Sequence, residues 1–276
     1  MKYGFVLPSG DARIAADFAF EAEQAGWDGF FVWEPVWGVD AWVSLTAAAM
    51  RTQRIRLGTL ITPISRMRPW ELASKTVTLD QLSQGRVILS VGLGAVDTGF
   101  AEFGEVTDRK TRAELLDEGL DILTGLWRDQ PFTYEGKHYH LKPTAFFPAP
   151  PPVQQPRIPI WVVGAWRRDK SMQRALRYDG LLPNVLNERG EHVPPTPDHI
   201  RDITAYIRQQ RSASTPYDIV VEGKTPGDDR AAALASVQPW IDAGATWWIE
   251  ALWPAPDQPT DHSAVLQRIK HGPPAR

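Results

Sequence analysis

Two carboxyl side chains stand where proton chemistry could occur. Glu34 follows the run Asp28 to Trp33, and Glu250 lies within Thr246 to Leu252, both short stretches rich in aromatic and branched residues. A carboxyl group at the end of a buried strand can move a proton or orient a ligand; it can equally cap a helix or pair with an arginine. Gly92-Leu93-Gly94 closes another apolar run and lets backbone approach a planar or phosphorylated ligand, or simply turns tightly into a helix. Gly164 precedes a helical stretch whose first amides could face an anion, and Arg167 and Arg168 beside it carry guanidinium forks that match phosphate. The same arginines also read as a solvated helix start. His138-x-His140 has the spacing of a metal pair, but alternation of Phe132 to Leu141 around Gly136 explains it as a surface hairpin, and no metal site is expected. Twelve tryptophans are many for 276 residues. Trp33, Trp37, Trp42, Trp166, Trp247, Trp248 and Trp253 fall at or near strand ends, where rings either stack on an aromatic cofactor or fill core.

Other chemistries lack an anchor. There is no Gly-x-Ser-x-Gly elbow and no phosphate-loop motif, and the absence of cysteine removes thiolate nucleophiles, thiolate metal sites and disulfides. A cysteine-free chain fits a reducing cytoplasm, and the apolar run after Met1 is too short for a signal-peptide core, so a cytoplasmic location is expected. Thirty basic against 33 acidic residues, a net charge of -3, gives no field for nucleic acid or anionic lipid. No apolar stretch has the length of a membrane span. The expected partner is a small molecule.

The elements that must position these residues are clearest between Arg54 and Ala95. Ile55 to Ile61 and Val87 to Leu93 are near-continuous apolar runs, which implies burial on both faces of a parallel sheet flanked by helices. Between them Pro69 suits the first helical position, Leu72, Thr76, Leu79 and Leu82 follow at helical spacing, and Gly85 supplies a left-handed stop. The same alternation recurs along the chain. Strands are predicted at Tyr3 to Leu7, Asp28 to Trp33, Ile160 to Val163, Gly180 to Leu182, Tyr217 to Val221 and Thr246 to Leu252. Helices are predicted at Asp11 to Ala25, Asp40 to Arg51, around the stripe Leu116, Leu120, Leu123 and Trp127, at Asp169 to Tyr178, after the Thr196-Pro197 cap, at Arg230 to Ala243 with a bend at Pro239, and at Ser263 to Ile269. Eight strand and helix pairs in one composition regime predict a single domain over residues 1–276, an α/β (β/α)8 TIM barrel. A doubly wound open sheet is the competing layout. Insertions follow the fourth strand, at Val96 to Lys110, and the sixth, at Pro183 to Pro197; Pro148 to Pro159 is an extended connector. In such a barrel the chemistry gathers at the C-terminal ends of the strands.

The spaced run Arg68-Pro69 … Thr78-Leu79-Asp80-Gln81-Leu82-Ser83-Gln84-Gly85-Arg86, then a strand and Val91-Gly92-Leu93-Gly94, resembles the bacterial-luciferase-like flavin-dependent oxidoreductases and monooxygenases. Ala25-Gly26-Trp27-Asp28-Gly29, the Phe132 to Leu141 segment, Pro156 to Val163 and Gly244-Ala245-Thr246-Trp247-Trp248 are similar to the same family in the same order. The resemblance implies a barrel that binds FMN, or its deazaflavin relative, at the strand C-terminal ends, and a homodimer. By position it puts Leu60-Ile61-Thr62, where the family often has a bulge or cis peptide, beneath the ring. Gly92-Leu93-Gly94 and Gly164-Ala165-Trp166 would line the ring edge and phosphate tail, with Arg167 and Arg168 supplying charge. Three departures stand out. Pro35 replaces the family's histidine, Leu93 the phosphate-binding arginine of luciferases, and Ala95 the catalytic glutamate of some deazaflavin-dependent sugar dehydrogenases. The leading expectation is a monooxygenase that takes loosely bound reduced FMN, from a separate flavin reductase, together with oxygen. The alternatives are a deazaflavin-dependent dehydrogenase or reductase, and a non-catalytic flavin-binding protein of the same fold.

Overall fold

The computed structural model describes residues 1–128, 130–143, 148–212, 215–255 and 257–274. Its first half runs β1 (Lys2–Leu7), α1 (Ala12–Gln24), β2 (Gly29–Val32), α2 (Ala41–Arg51), β3 (Arg56–Thr59), β4 (Thr62–Pro63), α3 (Pro69–Leu82), β5 (Val87–Gly92) and α4 (Arg109–Arg128). A hairpin of β6 (Tyr134–Glu135) and β7 (His140–Leu141) follows. The second half runs β8 (Ile160–Ala165), α5 (Asp169–Leu176), β9 (Gly180–Asn184), α6 (Pro197–Gln210), β10 (Asp218–Gly223), α7 (Arg230–Ala243), β11 (Trp247–Ala251) and α8 (His262–Lys270).

Eight parallel strands close into a barrel in the order β1, β2, β3, β5, β8, β9, β10, β11, with β11 returning to β1. The open doubly wound layout is thereby excluded, because β3 pairs with β5 and leaves no free edge. The short β4 continues β3 beyond a cis Leu60-Ile61 peptide and also pairs with β5.

Strand alternation divides the core into two layers. Val6, Phe31, Ile88, Trp161, Val220, Trp247 and Ile249 fill the barrel interior. Their sequence neighbours face outward and pack against the helices in a larger cluster. Burial on both faces explains why every position of β2, β5 and β11 is buried.

Helix starts follow their local chemistry. Asp11, Asp40, Asp229 and Asp261 each accept amide hydrogen bonds in the first turn of α1, α2, α7 and α8, and Thr196 with His199 forms a capping box on α6. Gly85, at φ +80°, ends α3 in the left-handed region as the sequence implied. Leu82 departs from the expected stripe and is 42% exposed, whereas Leu72, Thr76 and Leu79 are buried. It lies about 80° around the helix from Leu72, outside the face that meets the sheet. Helix α7 runs unbroken from Arg230 to Ala243 with Pro239 inside it.

The family-like Gly85-Arg86 pair has a structural explanation. The buried Arg86 guanidinium donates to the carbonyls of Ala49, Thr52, Ile55 and Ser83 and to the Thr52 hydroxyl, at 2.7 to 3.1 Å. It therefore satisfies carbonyls that the end of α2 leaves without helical partners and ties α2, β3 and α3 together. Arg86→Ala is expected to lower the unfolding free energy by about 3 kcal/mol or more, because several buried carbonyls lose their donor at once. Urea unfolding measures this, and a loss below about 1 kcal/mol would show that water replaces the clamp at little cost.

Candidate active site at the barrel mouth

A cavity of about 410 Å3 opens at the C-terminal ends of β1, β2, β3, β5 and β11. Trp33, Leu60, Ile61, Phe100 and Trp253 form its walls, Gly94 and Ala95 one edge, and Glu34 supplies its carboxylate. Thr98 and Phe100 come from the insertion after β5, so part of it borders the cavity.

Glu34 is held from two sides. The Thr62 hydroxyl donates to its Oε2 at 2.7 Å and lies 2.9 Å from the Thr59 hydroxyl, which reaches the Ser90 carbonyl at 3.3 Å. Arg66 donates to the main-chain carbonyls of Glu34 and Pro35 at 3.2 and 3.0 Å, fixing the loop from which the carboxyl projects. Burial pushes the Glu34 carboxyl above the usual carboxylate range; Thr62, Arg66 and Lys75 pull it partly back, and Asp40 pushes it further up. A carboxyl whose neutral form is favoured by burial holds a proton more readily than an exposed one, which suits general acid-base work.

Gly92 and Gly94 shape the wall. A Cβ on Gly92 would fall 2.6 Å from Ile61 Cδ1 and 2.9 Å from Val163 Cγ2. One on Gly94, whose φ is +77°, would fall 2.8 Å from the Phe100 ring. The carbonyls of Leu93 and Gly94 accept from Arg112 Nη1 at 2.9 and 3.1 Å. Arg112 sits on α4, and nothing local marks it, because its partners precede it by 18 and 19 residues.

Leu93 faces a second cavity of about 660 Å3, bounded by the first turns of α4 and α5. Arg109, Lys110, Arg168, Lys170 and Ser171 line this groove together with several acids. Glu114 and Asp117 already hold His138 and Arg174, at 2.8 and 2.5 Å. The side chains of Arg168 and Lys170 make no hydrogen bond or ion pair among the described residues, so they are available to an anion. Lys170 was missed in the sequence, although it stands two residues from Arg168.

Several expected residues are placed elsewhere. Arg167 adopts φ +69° and turns outward over the Trp166 ring toward Asp202, 3.8 Å away, with its side chain 76% exposed. Gly164 answers a packing need, since a Cβ there would lie 2.3 Å from Leu181 Cδ1 beneath α5. The amides of Ala165 and Trp166 donate to Ser171 Oγ and the Asn184 carbonyl, so these are not free for phosphate. Trp166 packs edge-on against Tyr206. Of the tryptophans near strand ends, Trp33 and Trp253 reach the central cavity, whereas Trp247 fills the barrel interior and Trp37 is 81% exposed.

Glu250 is corrected from proton carrier to structural carboxylate. Ile249 and Ala251 point into the barrel, so Glu250 points outward, fully buried beneath α8. It accepts from the Thr225 amide and hydroxyl at 2.8 Å, Trp248 Nε1 at 3.1 Å and Arg268 Nε at 3.2 Å. His138 and His140 pair with Glu114 and Glu135, while Glu118 accepts the amides of Lys137, His138 and Tyr139 and pins the hairpin to α4. Among the described residues no group of three potential ligands could hold a metal ion, and no helix is long and apolar enough to cross a membrane.

Two stability measurements separate the carboxylates. Glu250→Ala is expected to cost about 3–5 kcal/mol by leaving Arg268 buried and unpaired. Glu34→Gln should act in the opposite direction. With its native pKa above the ordinary 4.5, Glu34 binds more protons folded than unfolded, so its contribution falls as pH rises through that window and stays low above it. The variant's Tm should therefore exceed wild type at pH 8 by more than at pH 4. A lower Tm at pH 8 would mean that ionised Glu34 stabilises the fold.

Comparisons agree with this architecture. A model of the family described as luciferase-like monooxygenase matches residues 4–270. An uncharacterized protein of Mycobacterium tuberculosis is 30% identical over 96% of this chain and 95% of its own. An F420-dependent glucose-6-phosphate dehydrogenase of Kineococcus radiotolerans is 33% identical over 53% of this chain and 45% of its own. Among solved structures, an F420-dependent secondary alcohol dehydrogenase in complex with an F420-acetone adduct superposes with a TM-score of 0.78 at 18% identity, over 99% of this chain and 98% of that one. On the match that spans nearly its whole length, the chain belongs to the luciferase-like monooxygenase family.

Proposed function

We propose that the protein is an oxidoreductase that uses an F420-type deazaflavin to move a hydride to or from a small organic substrate in the barrel-mouth cavity. The observation that carries this reading is Glu34: a carboxyl whose pKa is raised by burial, hydrogen-bonded to Thr62, on the wall of an otherwise apolar cavity. The sequence likeness to an F420-dependent dehydrogenase supports the choice of cofactor.

The residues present fit such a group. Leu60, Ile61 and Pro63 line one side of the cavity, with Thr62 buried behind them, Gly94 and Ala95 line its edge, and Leu93 lines the neighbouring groove. Arg168 and Lys170, both without protein partners among the described residues, would hold the phosphate, with Ser171 beside them. When bound, the deazaflavin supplies a two-electron hydride acceptor or donor. Glu34 does the proton work: ionised, it takes a hydroxyl proton from an alcohol; protonated, it gives one to the oxygen of a carbonyl. Trp33, Phe100 and Trp253 exclude water from that exchange. In this reading Glu34 supplies the proton chemistry for which the family uses the histidine replaced by Pro35.

A second reading is oxygenation with reduced FMN supplied by a separate reductase. The apolar walls favour it, because a reactive oxygen adduct needs a dry pocket. A homodimer belongs to either reading, supported by the exposed Phe20, Val43 and Met50 on α1 and α2.

Anaerobic titration with F420 and with FMN decides between them. F420 is expected to bind at least about tenfold more tightly, a difference of 1.4 kcal/mol, and a clear preference for FMN would transfer the proposal to the oxygenase. Arg168→Ala is expected to weaken cofactor binding by about 1–3 kcal/mol, as for a charged hydrogen bond. Glu34→Gln should lower kcat by about 10²–10⁴-fold with cofactor affinity unchanged. Cofactor binding without turnover across alcohols, ketones and oxygenation substrates would leave the non-catalytic alternative.

A further inference from the structure

We infer that the barrel-mouth cavity takes an uncharged, largely apolar alcohol or carbonyl compound and turns away phosphorylated and carboxylated ones. The inference rests on reading that cavity as the substrate site.

The argument is one of charge. Among the described residues, none that lines the cavity is a lysine, arginine or histidine, and the one titratable member is Glu34. The nearest arginines are committed elsewhere. Arg66 donates to the Glu34 and Pro35 carbonyls, Arg112 donates to those of Leu93 and Gly94, and each guanidinium lies 5.5 Å from the centre of the Phe100 ring. Arg66 Nε and Arg112 Nε are buried without a partner, and Arg112 Nη2 makes no hydrogen bond among the described residues.

A second acid stands behind the Trp253 wall, outside the lining. Two residues after Val220, which faces the barrel interior, Glu222 lies on the inward side of β10 and accepts a hydrogen bond from Trp253 Nε1 at 2.7 Å. Trp253 is itself a cavity wall. Although Glu222 is open to solvent at the rim, the protein around it disfavours its ionised form, offset by the tryptophan N–H.

An anionic substrate entering here would leave water for a cavity whose lining, among the described residues, holds one carboxyl group and no cation, with Arg66 and Lys75 acting on Glu34 from beyond the lining, so its desolvation is poorly repaid. A hydroxyl needs only Glu34 as acceptor, and a carbonyl only protonated Glu34 as donor. The oxidation would then balance: a bound deazaflavin would supply the acceptor for the carbinol hydride, Glu34 would take the O–H proton, and the C–O bond would become C=O. For a sugar phosphate, the substrate class named for the Kineococcus radiotolerans relative, the cations without protein partners among the described residues include Arg168 and Lys170 in the separate groove.

Four probes with one carbon skeleton test this: cyclohexanol, cyclohexanone, cyclohexyl phosphate and cyclohexanecarboxylate. Each is titrated into the full chain at pH 7.5 while the 13C δ-methyl of Ile61, a cavity wall, is followed by NMR, so binding in the groove does not register. The two neutral probes are expected to shift that methyl saturably, with Kd values at least about tenfold below those of the two anions, a gap of 1.4 kcal/mol. Glu222→Arg is expected to narrow the gap by about tenfold, and Glu222→Gln by less. Anions that bind at Ile61 as tightly as the neutral probes, or neutral probes that leave it unmoved, overturn the inference. No turnover is read, so this result is independent of the cofactor titration that tests the proposed reaction.

Discussion

Aromatic side chains meeting glycines inside the barrel set the geometry on which everything else depends. Phe31, Trp161 and Trp247 stack and cross within 5.1 to 6.1 Å of one another in the space enclosed by the eight strands. They fit because the strands beside them carry no Cβ. A methyl group at Gly29 would lie 2.7 Å from Phe31, one at Gly180 2.4 Å from Trp161, and one at Gly58 2.2 Å from the Ile88 carbonyl on the strand that closes the barrel. Interiors packed at this density tolerate no such overlap, so large rings and missing side chains are two halves of one requirement. With the middle of the barrel filled, inward room remains at the C-terminal mouth, and the cavity lies there.

The second constraint is how charge is distributed around that mouth. Arg66, Arg86 and Arg112 direct their guanidiniums at backbone carbonyls, and Arg268 pairs with Glu250 beneath α8. Each fixes a loop or helix end by satisfying acceptors that burial would otherwise leave bare. The consequence for chemistry is indirect but large. Arginines near the cavity are directed at scaffold carbonyls, and Glu34 faces apolar walls with Thr62 as its one side-chain hydrogen-bond partner among the described residues. Desolvation then raises its pKa, which costs stability and provides a group able to exchange protons, the usual opposition between fold and function at such sites.

What the sequence determined by itself is the periodic part of the protein. Near-continuous apolar strands, helical stripes, aspartate and threonine caps and the Gly85 stop are local or short-range signals, and each element forms where those signals place it. Glu34, Leu60, Ile61 and Gly94 stand at strand ends, which converge in a closed parallel barrel, and all four line the cavity, whereas Thr62, Gly92 and Leu93 are not among its lining residues. Tertiary structure decided which side chains point into the shared space. Glu250 faces outward because its neighbours Ile249 and Ala251 face inward, a phase that one strand cannot reveal alone. Arg167 turns away through a positive φ, leaving Arg168 and Lys170 to face the groove. Arg112, Phe100 and Trp253 became part of the site through contacts distant in sequence. Propensity and patterning act over a few residues, whereas a binding site is assembled from directions, and those are set only when the barrel closes and its interior is full.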